Sequence, residues 1–451
     1  MDSRIMQTFQ KEITCPICMK YFIDPVTLDC GHSFCRPCLY LGWHDILVLA
    51  PCYVCKEMVE KRDFKTNVRM KKLASLARKA TLWQFLSSEE HMCGAHKEMK
   101  KIFCEEDKSL LCVLCSNSQE HEAHRHWQIE CAAEQHRENL LKKMHSVWEK
   151  YCESHRNLIM EMMTMDSWED YINLRGEVIR AEYGKLPDFF HEEKCHHLER
   201  LKKEGNEIFQ QLQESKTRMA LVKKMLRGIY EELKEICHRP DVELLQAYGD
   251  TVHRIESMQL YVAQPLNPEL SVGPITGLID RLNCFRMDIT LYPERAHSHV
   301  FLHGELRSVL VGCDPQGASW NTPTSECFLA WGTQTFTDGR YYWELDVGDC
   351  WNWALGICND DWKENREDKM HDVEGLFLLG CVKEGTRYTL FTTSPLVLHY
   401  IPRPIGQIGV FLDCNGRTVS FINVAQSSLI HSIPHCSFSP RLKSVFCCSH
   451  F

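Results

Sequence analysis

Between Cys15 and Cys55 the sequence sets seven cysteines and one histidine in the order C-x2-C-x11-C-x-H-x2-C-x2-C-x13-C-x2-C. A stretch this short cannot bury enough apolar surface to hold itself together, and its spacing offers a substitute. Zinc takes four thiolate or imidazole donors in a tetrahedron, and a short loop presents two of them at a time. Because the four pairs alternate, the first and third serve one ion and the second and fourth another. That assigns Cys15, Cys18, Cys35 and Cys38 to one site and Cys30, His32, Cys52 and Cys55 to the other. The expected product is a cross-braced module of about 40 residues held by metal. Disulfides or scattered buried thiols are the competing reading, and four interlocking pairs argue against both.

A second array runs from Cys93 as C-x2-H-x7-C-x2-D-x4-C-x2-C-x5-H-x2-H. The same alternation gives Cys93, His96, Cys112 and Cys115 to one ion and Cys104, Asp107, His121 and His124 to another, with His126 a spare for His124. The expected cofactor is therefore zinc, two ions in the first array and one or two in the second. The arrays use 11 of the chain's 25 cysteines. The others lack pairing logic and are expected to be reduced thiols in a reducing compartment, since no signal-peptide pattern precedes them. No run of eighteen apolar residues asks for a membrane. A net charge of −9 over 451 residues gives no basic field for nucleic acid. Cytoplasmic residence is the default expectation, with nuclear entry left open.

Flanking the first array, Ile5, Phe9 and Ile13 recur at helical spacing, as do Phe64, Val68, Leu73, Leu76, Ala77 and Ala80. Both stripes are expected to be covered by packing, and Arg69, Lys71, Lys72, Arg78 and Lys79 to form a solvated face.

After the second array the rhythm becomes heptad. One run goes from Leu141 through Met144, Trp148, Tyr151, Ile172 and Ile179 to Phe190, broken at His155, Glu169 and Gly176. A second goes from Leu198 through Ile208, Leu212, Met219, Leu226 and Leu233 to Ile236. A seam so narrow and long requires a helix of matching length, hence a coiled coil. Phe190 to Leu201 is an eleven-residue step, and Pro187 beside it should bend or interrupt the helix.

Beyond Gln264-Pro265-Leu266-Asn267-Pro268 the pattern turns to short strands, among them Tyr341–Val347, Phe377–Val382, Tyr388–Thr392, Ile408–Leu412 and Thr418–Ile422. Turn signals at Asp338-Gly339 and Asn415-Gly416 complete the signature of a β-sandwich. No nucleophile elbow, phosphate loop or carboxylate pair stands out, and His297 reads as a packing residue. Trp320, Trp351 and Trp362 are candidates for a recognition surface or for the core.

Several stretches carry resemblances. Pro16-Ile17, Asp24-Pro25-Val26 and Cys30-Gly31-His32-Ser33-Phe34-Cys35 resemble a RING finger, and the second array, with Asp107 as fourth ligand, resembles a type 2 B-box. Asp288-Ile289-Thr290-Leu291, Asp338 to Glu344, Trp353 to Ile357, Gly409 to Asp413 and Val419 to Asn423 resemble a PRY-SPRY domain. In this order the modules resemble the tripartite-motif family. The division expected is 1–62 RING with an N-terminal helix, 63–90 helical linker, 91–132 B-box, 133–262 coiled coil and 268–451 PRY-SPRY. The fold class is thus multidomain, with two small zinc-bound modules, a long antiparallel coiled coil and a C-terminal β-sandwich.

The resemblance implies a RING-type E3 ubiquitin ligase, dimeric through the coiled coil. Its partners would be a ubiquitin-charged conjugating enzyme, ubiquitin, and an unidentified target protein held by the PRY-SPRY domain. Docking of the conjugating enzyme would fall to Ile17, Trp43, the loop Pro51 to Val54 and Lys56. Two departures bear on activity. Tyr53 stands where many active RINGs have proline, and Lys56 replaces the more frequent arginine, whose planar two-point contact it cannot make. A dimeric scaffold or decoy without ligase activity is the alternative.

Overall fold

The structure, a computed structural model, describes residues 10–43, 49–60, 64–88, 92–258, 260–295, 327–348, 350, 352–359, 375–383, 387–437 and 441–449. Ile5, Phe9, His297, Trp320, Trp351 and Trp362 lie outside the described residues. The chain forms two compact units, each assembled from two separated stretches: residues 1–155 with 219–263, and residues 156–218 with 264–451.

In the first unit, strands β1 (Pro25–Thr27) and β2 (Ser33–Cys35) pair antiparallel and lead into helix α1 (Arg36–Gly42). Strands β3 (Leu49–Pro51) and β4 (Met58–Glu60) form a second hairpin. Helix α2 (Val68–Leu86) begins at Asn67, whose side chain accepts from the Met70 N–H at 3.1 Å as an N-cap. A small sheet follows, with β5 (Ile102–Cys104) between β6 (Leu110–Leu111) and β7 (His126–Gln128), and one-turn helix α3 (Val113–Ser116) beside it.

Helix α4 (Ile129–Tyr183) is 55 residues long and ends before Pro187, around which the chain turns. Helix α5 (His191–Cys237) resumes the heptad rhythm, and α6 (Asp241–Ser257) follows. In the first unit Met144, Trp148 and Tyr151 of α4 share a core with Leu226, Ile229 and Leu233 of α5 and with Leu244 and Ile255 of α6. In the second, the Trp168 indole donates to the Gly205 carbonyl at 2.9 Å, and Ile172 packs so closely on Gly205 that a Cβ there would meet it at 2.8 Å. Each heptad run thus packs in part on the other run of the same chain.

The face that α2 buries is not the expected one. Ala74, Leu82 and Leu86 are buried, whereas Val68, Leu73 and Leu76 are exposed. Leu82 and Leu86 pack on Phe103, Ile129 and Ala133, and ion pairs accompany this orientation: Lys71, Arg78 and Lys79 reach Glu138, Glu134 and Glu130 of α4 at 3.0, 3.0 and 3.1 Å. Those three cations are ion-paired rather than left to solvent.

The second unit contains two antiparallel sheets in a sandwich-like arrangement. Its strands are β8 (Leu291–Arg295), β9 (Cys327–Gly332), β10 (Arg340–Asp346), β11 (Asn352–Asn359), β12 (Gly375–Lys383), β13 (Arg387–Thr392), β14 (Val397–His399), β15 (Gln407–Asp413), β16 (Thr418–Asn423), β17 (Ser428–Ile433) and β18 (Leu442–Ser449). The four-stranded sheet runs β10-β15-β16-β17 and the seven-stranded sheet β14-β13-β12-β11-β18-β9-β8. Trp343, Trp353, Leu378, Val410 and Phe421 lie in a common core. Short helix α7 (Leu278–Asn283) precedes the strands. Gly339 adopts the left-handed conformation its turn requires (φ 91°), but at Asn415-Gly416 it is Arg417 that does so (φ 49°), with the Asp413 carboxylate accepting from the Gly416 N–H at 2.7 Å.

Arg175 of α4 points its guanidinium at the carbonyls of Leu429 and Ile430, beside the buried rings of His399 and His431, which lie 4.8 Å apart. Burial, and then the Arg175 charge, push His431 down to about 4; burial, His431 and Arg175 hold His399 well below the ordinary imidazole range. Unfolded histidines take up protons near pH 6.5, so between pH 7 and 5 the unfolded chain binds more protons and stability falls as pH falls. For His431 the loss is about 2 kcal/mol over that interval. Urea unfolding of the sandwich at pH 7 and 5 measures it, and His431→Gln should flatten the slope; equal slopes with and without the histidine would remove this account.

Candidate functional site

The donor pairs sit in loops that repeat one backbone pattern. The Cys15 N–H donates to the Lys20 carbonyl (2.9 Å) while the Met19 N–H donates to the Cys15 carbonyl (2.9 Å). Cys52 repeats this with Glu57 (2.8 Å) and Lys56 (3.0 Å), and Cys93 with Glu98 (2.8 Å) and Lys97 (2.9 Å). Four residues after the first donor the backbone is left-handed: Met19 at φ 57°, Lys56 at 64°, Lys97 at 57°, and Lys108, after Cys104, at 55°. That conformation costs a residue with a side chain roughly 1–2 kcal/mol. Four donor loops share it, at the same position after the first donor. Two further pairs use helix starts: Cys35 and Cys112 are the N-caps of α1 and α3, and Cys38 and Cys115 follow three residues later, while Cys30 with His32 and His121 with His124 lie in turns.

These loops bring all sixteen expected donors into four clusters: Cys15, Cys18, Cys35 and Cys38; Cys30, His32, Cys52 and Cys55; Cys93, His96, Cys112 and Cys115; Cys104, Asp107, His121 and His124. Within each cluster the donor atoms lie within 4.8 Å of one another. Ligands of one tetrahedral zinc stand roughly 3.3–3.8 Å apart, as bond lengths of about 2.0–2.3 Å require. His96 Nδ1 lies in that range, 3.6, 3.4 and 3.4 Å from the sulfurs of Cys93, Cys112 and Cys115, whereas Asp107 Oδ2 stands at hydrogen-bond distance, 2.8 and 2.9 Å from Nδ1 of His121 and His124.

The thiols show the same need for a cation. The backbone N–H of His96, above all, draws Cys93 down to about 6, and Cys15 above all draws Cys18 far below the usual thiol range, while burial pushes Cys35 well above it. Four crowded sulfurs cannot all ionise without a metal to share their charge. The donor sets fit zinc, which when bound supplies rigidity to loops with little regular secondary structure. His126 pairs with Cys104 across the β5–β7 ladder and stands outside the fourth cluster.

Around the first module, Ile17 is half-buried between two donors. Trp43 is 1% exposed, and its indole N–H donates to the Pro51 carbonyl at 3.2 Å, so it fixes the loop from beneath. Tyr53 is 37% exposed, with its ring edge-on to Phe34 and its hydroxyl over Gly42, where any Cβ would overlap it. Lys56 reaches back to the Tyr53 carbonyl at 3.4 Å. The left-handed residues and the Gly42–Tyr53 packing carry no sequence signal of their own, since none of the four is glycine and the pair lies on separate elements.

Two interleaved zinc-binding modules, a long helical region and a sandwich-like domain of antiparallel sheets define a multidomain zinc-finger protein. The RING-type zinc-finger family matches residues 15–56, the B-box zinc finger residues 88–129 and the SPRY domain residues 340–451. Tripartite motif-containing protein 51 of Homo sapiens is 63% identical over 452 residues, covering 100% of both chains. Tripartite motif-containing protein 49C of Homo sapiens is 61% identical with the same coverage, and tripartite motif-containing protein 64 of Homo sapiens 44% identical over 99% of each. The chain belongs to the tripartite-motif family. Among solved structures, the TRIM65 PSpry domain aligns with 40% of this chain and 98% of its own at 15% identity and a TM-score of 0.26, too low to bear on the fold.

Proposed function

We propose that the chain is a RING-type E3 ubiquitin ligase in which the sixteen clustered donors hold zinc and the RING docks a ubiquitin-charged conjugating enzyme. The observation that supports it most is the pair of interleaved, fully protein-liganded clusters beside the exposed Tyr53 and Val54 loop. Four protein donors leave a zinc no open position for substrate, so the metal shapes a surface rather than activating water. The chemistry is transfer by positioning: a target lysine attacks the thioester of the conjugating enzyme, and no cysteine of this chain is acylated.

In this reading Ile17 and Tyr53 contact the conjugating enzyme, Trp43 acts through Pro51, and Lys56 offers a cation toward ubiquitin. The PRY-SPRY domain, taken as residues 268–451, selects the target. Two copies pair antiparallel through the coiled coil, and the protein works in the cytoplasm. No helix among the described residues is long and apolar enough to cross a membrane.

The Tyr53 hydroxyl over Gly42 favours a second reading, a scaffold whose RING docks poorly, because a phenol occupies the groove between α1 and the second loop. Discharge of ubiquitin from several charged conjugating enzymes onto free lysine separates the two. The full chain is expected to discharge at least one of them, Ile17→Ala to lose most of that activity, and Tyr53→Pro to raise it. Silence from the native chain with activity in Tyr53→Pro would leave the scaffold as the better description, and equal activity of native chain and Ile17→Ala would sink the docking assignment.

A further inference from the structure

Strand β17 carries one residue more than its partner matches. Phe421 pairs with His431 and Ile422 with Leu429, so Ile430 is the extra residue of a bulge. Arg175 of α4 reaches this irregularity and donates to the carbonyls of Leu429, at 3.1 Å, and Ile430. Two acceptors are satisfied in this way, but carbonyls carry no net charge. Arg175 is 4% exposed and has no ion-pair partner among the described residues. Arginine is almost never buried without a counter-charge, because a guanidinium taken out of water needs an anion in place of the solvent it loses.

Two histidines beside it share the deficit. His399 of β14 and His431 of β17 are 4% and 3% exposed, with their rings 4.8 Å apart. Nδ1 of each ring is buried without a hydrogen-bond partner among the described residues, and so is Nε of Arg175. His399 has one polar contact, from Nε2 to the Thr392 hydroxyl at 3.2 Å, and towards α4 it meets the Tyr171 ring at 6.3 Å. Buried polar groups are satisfied in the great majority of folded proteins, so three bare nitrogens in one neighbourhood ask for an acceptor. Water would supply the acceptor and leave the guanidinium charge unanswered; an anion does both.

We propose that Arg175, His399 and His431 form a binding site for a small monovalent inorganic anion, for which chloride is the probe. An imidazole can place its hydrogen on either nitrogen, so both Nδ1 atoms are able to donate to such an ion. Size points the same way: His399 also lines a cavity of about 140 Å³ between α4, residues 267–269 and strands β13 and β14. Sites for organic ligands run to about 300–1,000 Å³, whereas this one admits an ion with a little water. Burial above all keeps both rings neutral at pH 7, so the guanidinium is the one positive charge to balance, which favours a monovalent ion over a divalent one. Strands β14 and β17 are the edges of the seven-stranded and the four-stranded sheet, so the ion would pin α4 to both.

Urea unfolding of the full chain at pH 7, followed by hydrogen exchange of β14 and β17, tests this. Sodium chloride replaces sodium gluconate, whose anion is too large for the site, at a constant ionic strength of about 0.15 M. The urea midpoint of the two strands should rise with chloride and level off as the site fills. In Arg175→Met it should not respond. Equal responses of the two chains, or none in the native chain, would overturn the proposal. If Arg175→Met does not fold, His431→Phe should need several-fold more chloride for the same rise, and an unchanged requirement would count against the site. Crystals of the full chain grown in sodium bromide should show anomalous density beside Arg175 Nε and the two Nδ1 atoms. Water in that position, or bromide there without a chloride response in solution, would also overturn it.

Discussion

Removing zinc from the full chain with a chelator is expected to unfold both cysteine-rich modules while the sandwich keeps its structure. Structural zinc in small modules contributes about 10–16 kcal/mol of apparent binding energy at neutral pH, and that energy is folding energy. Among the described residues the RING's secondary structure is slight: two hairpins of three-residue strands, a helix of 7 residues, and loops with left-handed residues at Met19 and Lys56. Cys15, Cys35 and Cys52 are buried in one cluster with Phe22, Val26, Phe34, Leu39 and Trp43, an apolar cluster that the RING shares with Trp148, Tyr151 and Tyr230. The strands β10 to β18 hold a core of their own around Trp343, Trp353 and Phe421 and carry no donor cluster among the described residues. Hydrogen exchange read by mass spectrometry should show amides of 15–43 and 93–128 losing protection after chelation and those of β10–β18 keeping theirs. Undiminished protection in 15–43 after verified loss of zinc would sink the claim that metal holds the module.

Asp241→Ala should cost about 3 kcal/mol, toward the lower end of the range for breaking a buried ion pair. Arg137 and Asp241 are both buried and 2.7 Å apart, so removing the carboxylate strands a guanidinium away from water. Its bonds to Glu134 and to the carbonyls of Cys237 and Arg239 remain and soften the loss. Replacing the pair with Arg137→Met and Asp241→Leu should recover part of the stability, because no charge is then left unpaired. The check is hydrogen exchange of α6 in increasing urea; a loss below about 1 kcal/mol would mean that water reaches the arginine.

The sixteen donors were legible because ligation constrains spacing directly: a loop that presents two ligands must place them two or so residues apart. Heptads likewise announced a long helix, and five strand segments of the sandwich were readable from alternation between turn signals. What sequence could not settle was partnership. A heptad specifies a seam and leaves its partner open, so the pairing of Ile172 with Gly205 across a turn near Pro187 appears only in the fold. The face that α2 buries is set by partners distant in sequence, Phe103, Ile129 and Ala133 against Leu82 and Leu86 with glutamates 130, 134 and 138 beside its cations, and Leu76 is left exposed.

The division of each unit between two stretches governs the order in which the chain can be completed as it is made. Residues 1–155 leave the ribosome long before 219–263, and the intervening 156–218 belong to the other unit. At synthesis rates of roughly 5–20 residues per second, the aromatic surface of Tyr40, Trp148 and Tyr151 waits several seconds for Tyr230 to arrive and cover it. A nascent chain at that stage leaves these aromatic rings uncovered, and transiently exposed apolar surface of this kind is prone to aggregate. A coding change that stalls translation between 156 and 218 would therefore lengthen the interval in which the amino-terminal half is sticky, without altering a single residue of the finished protein.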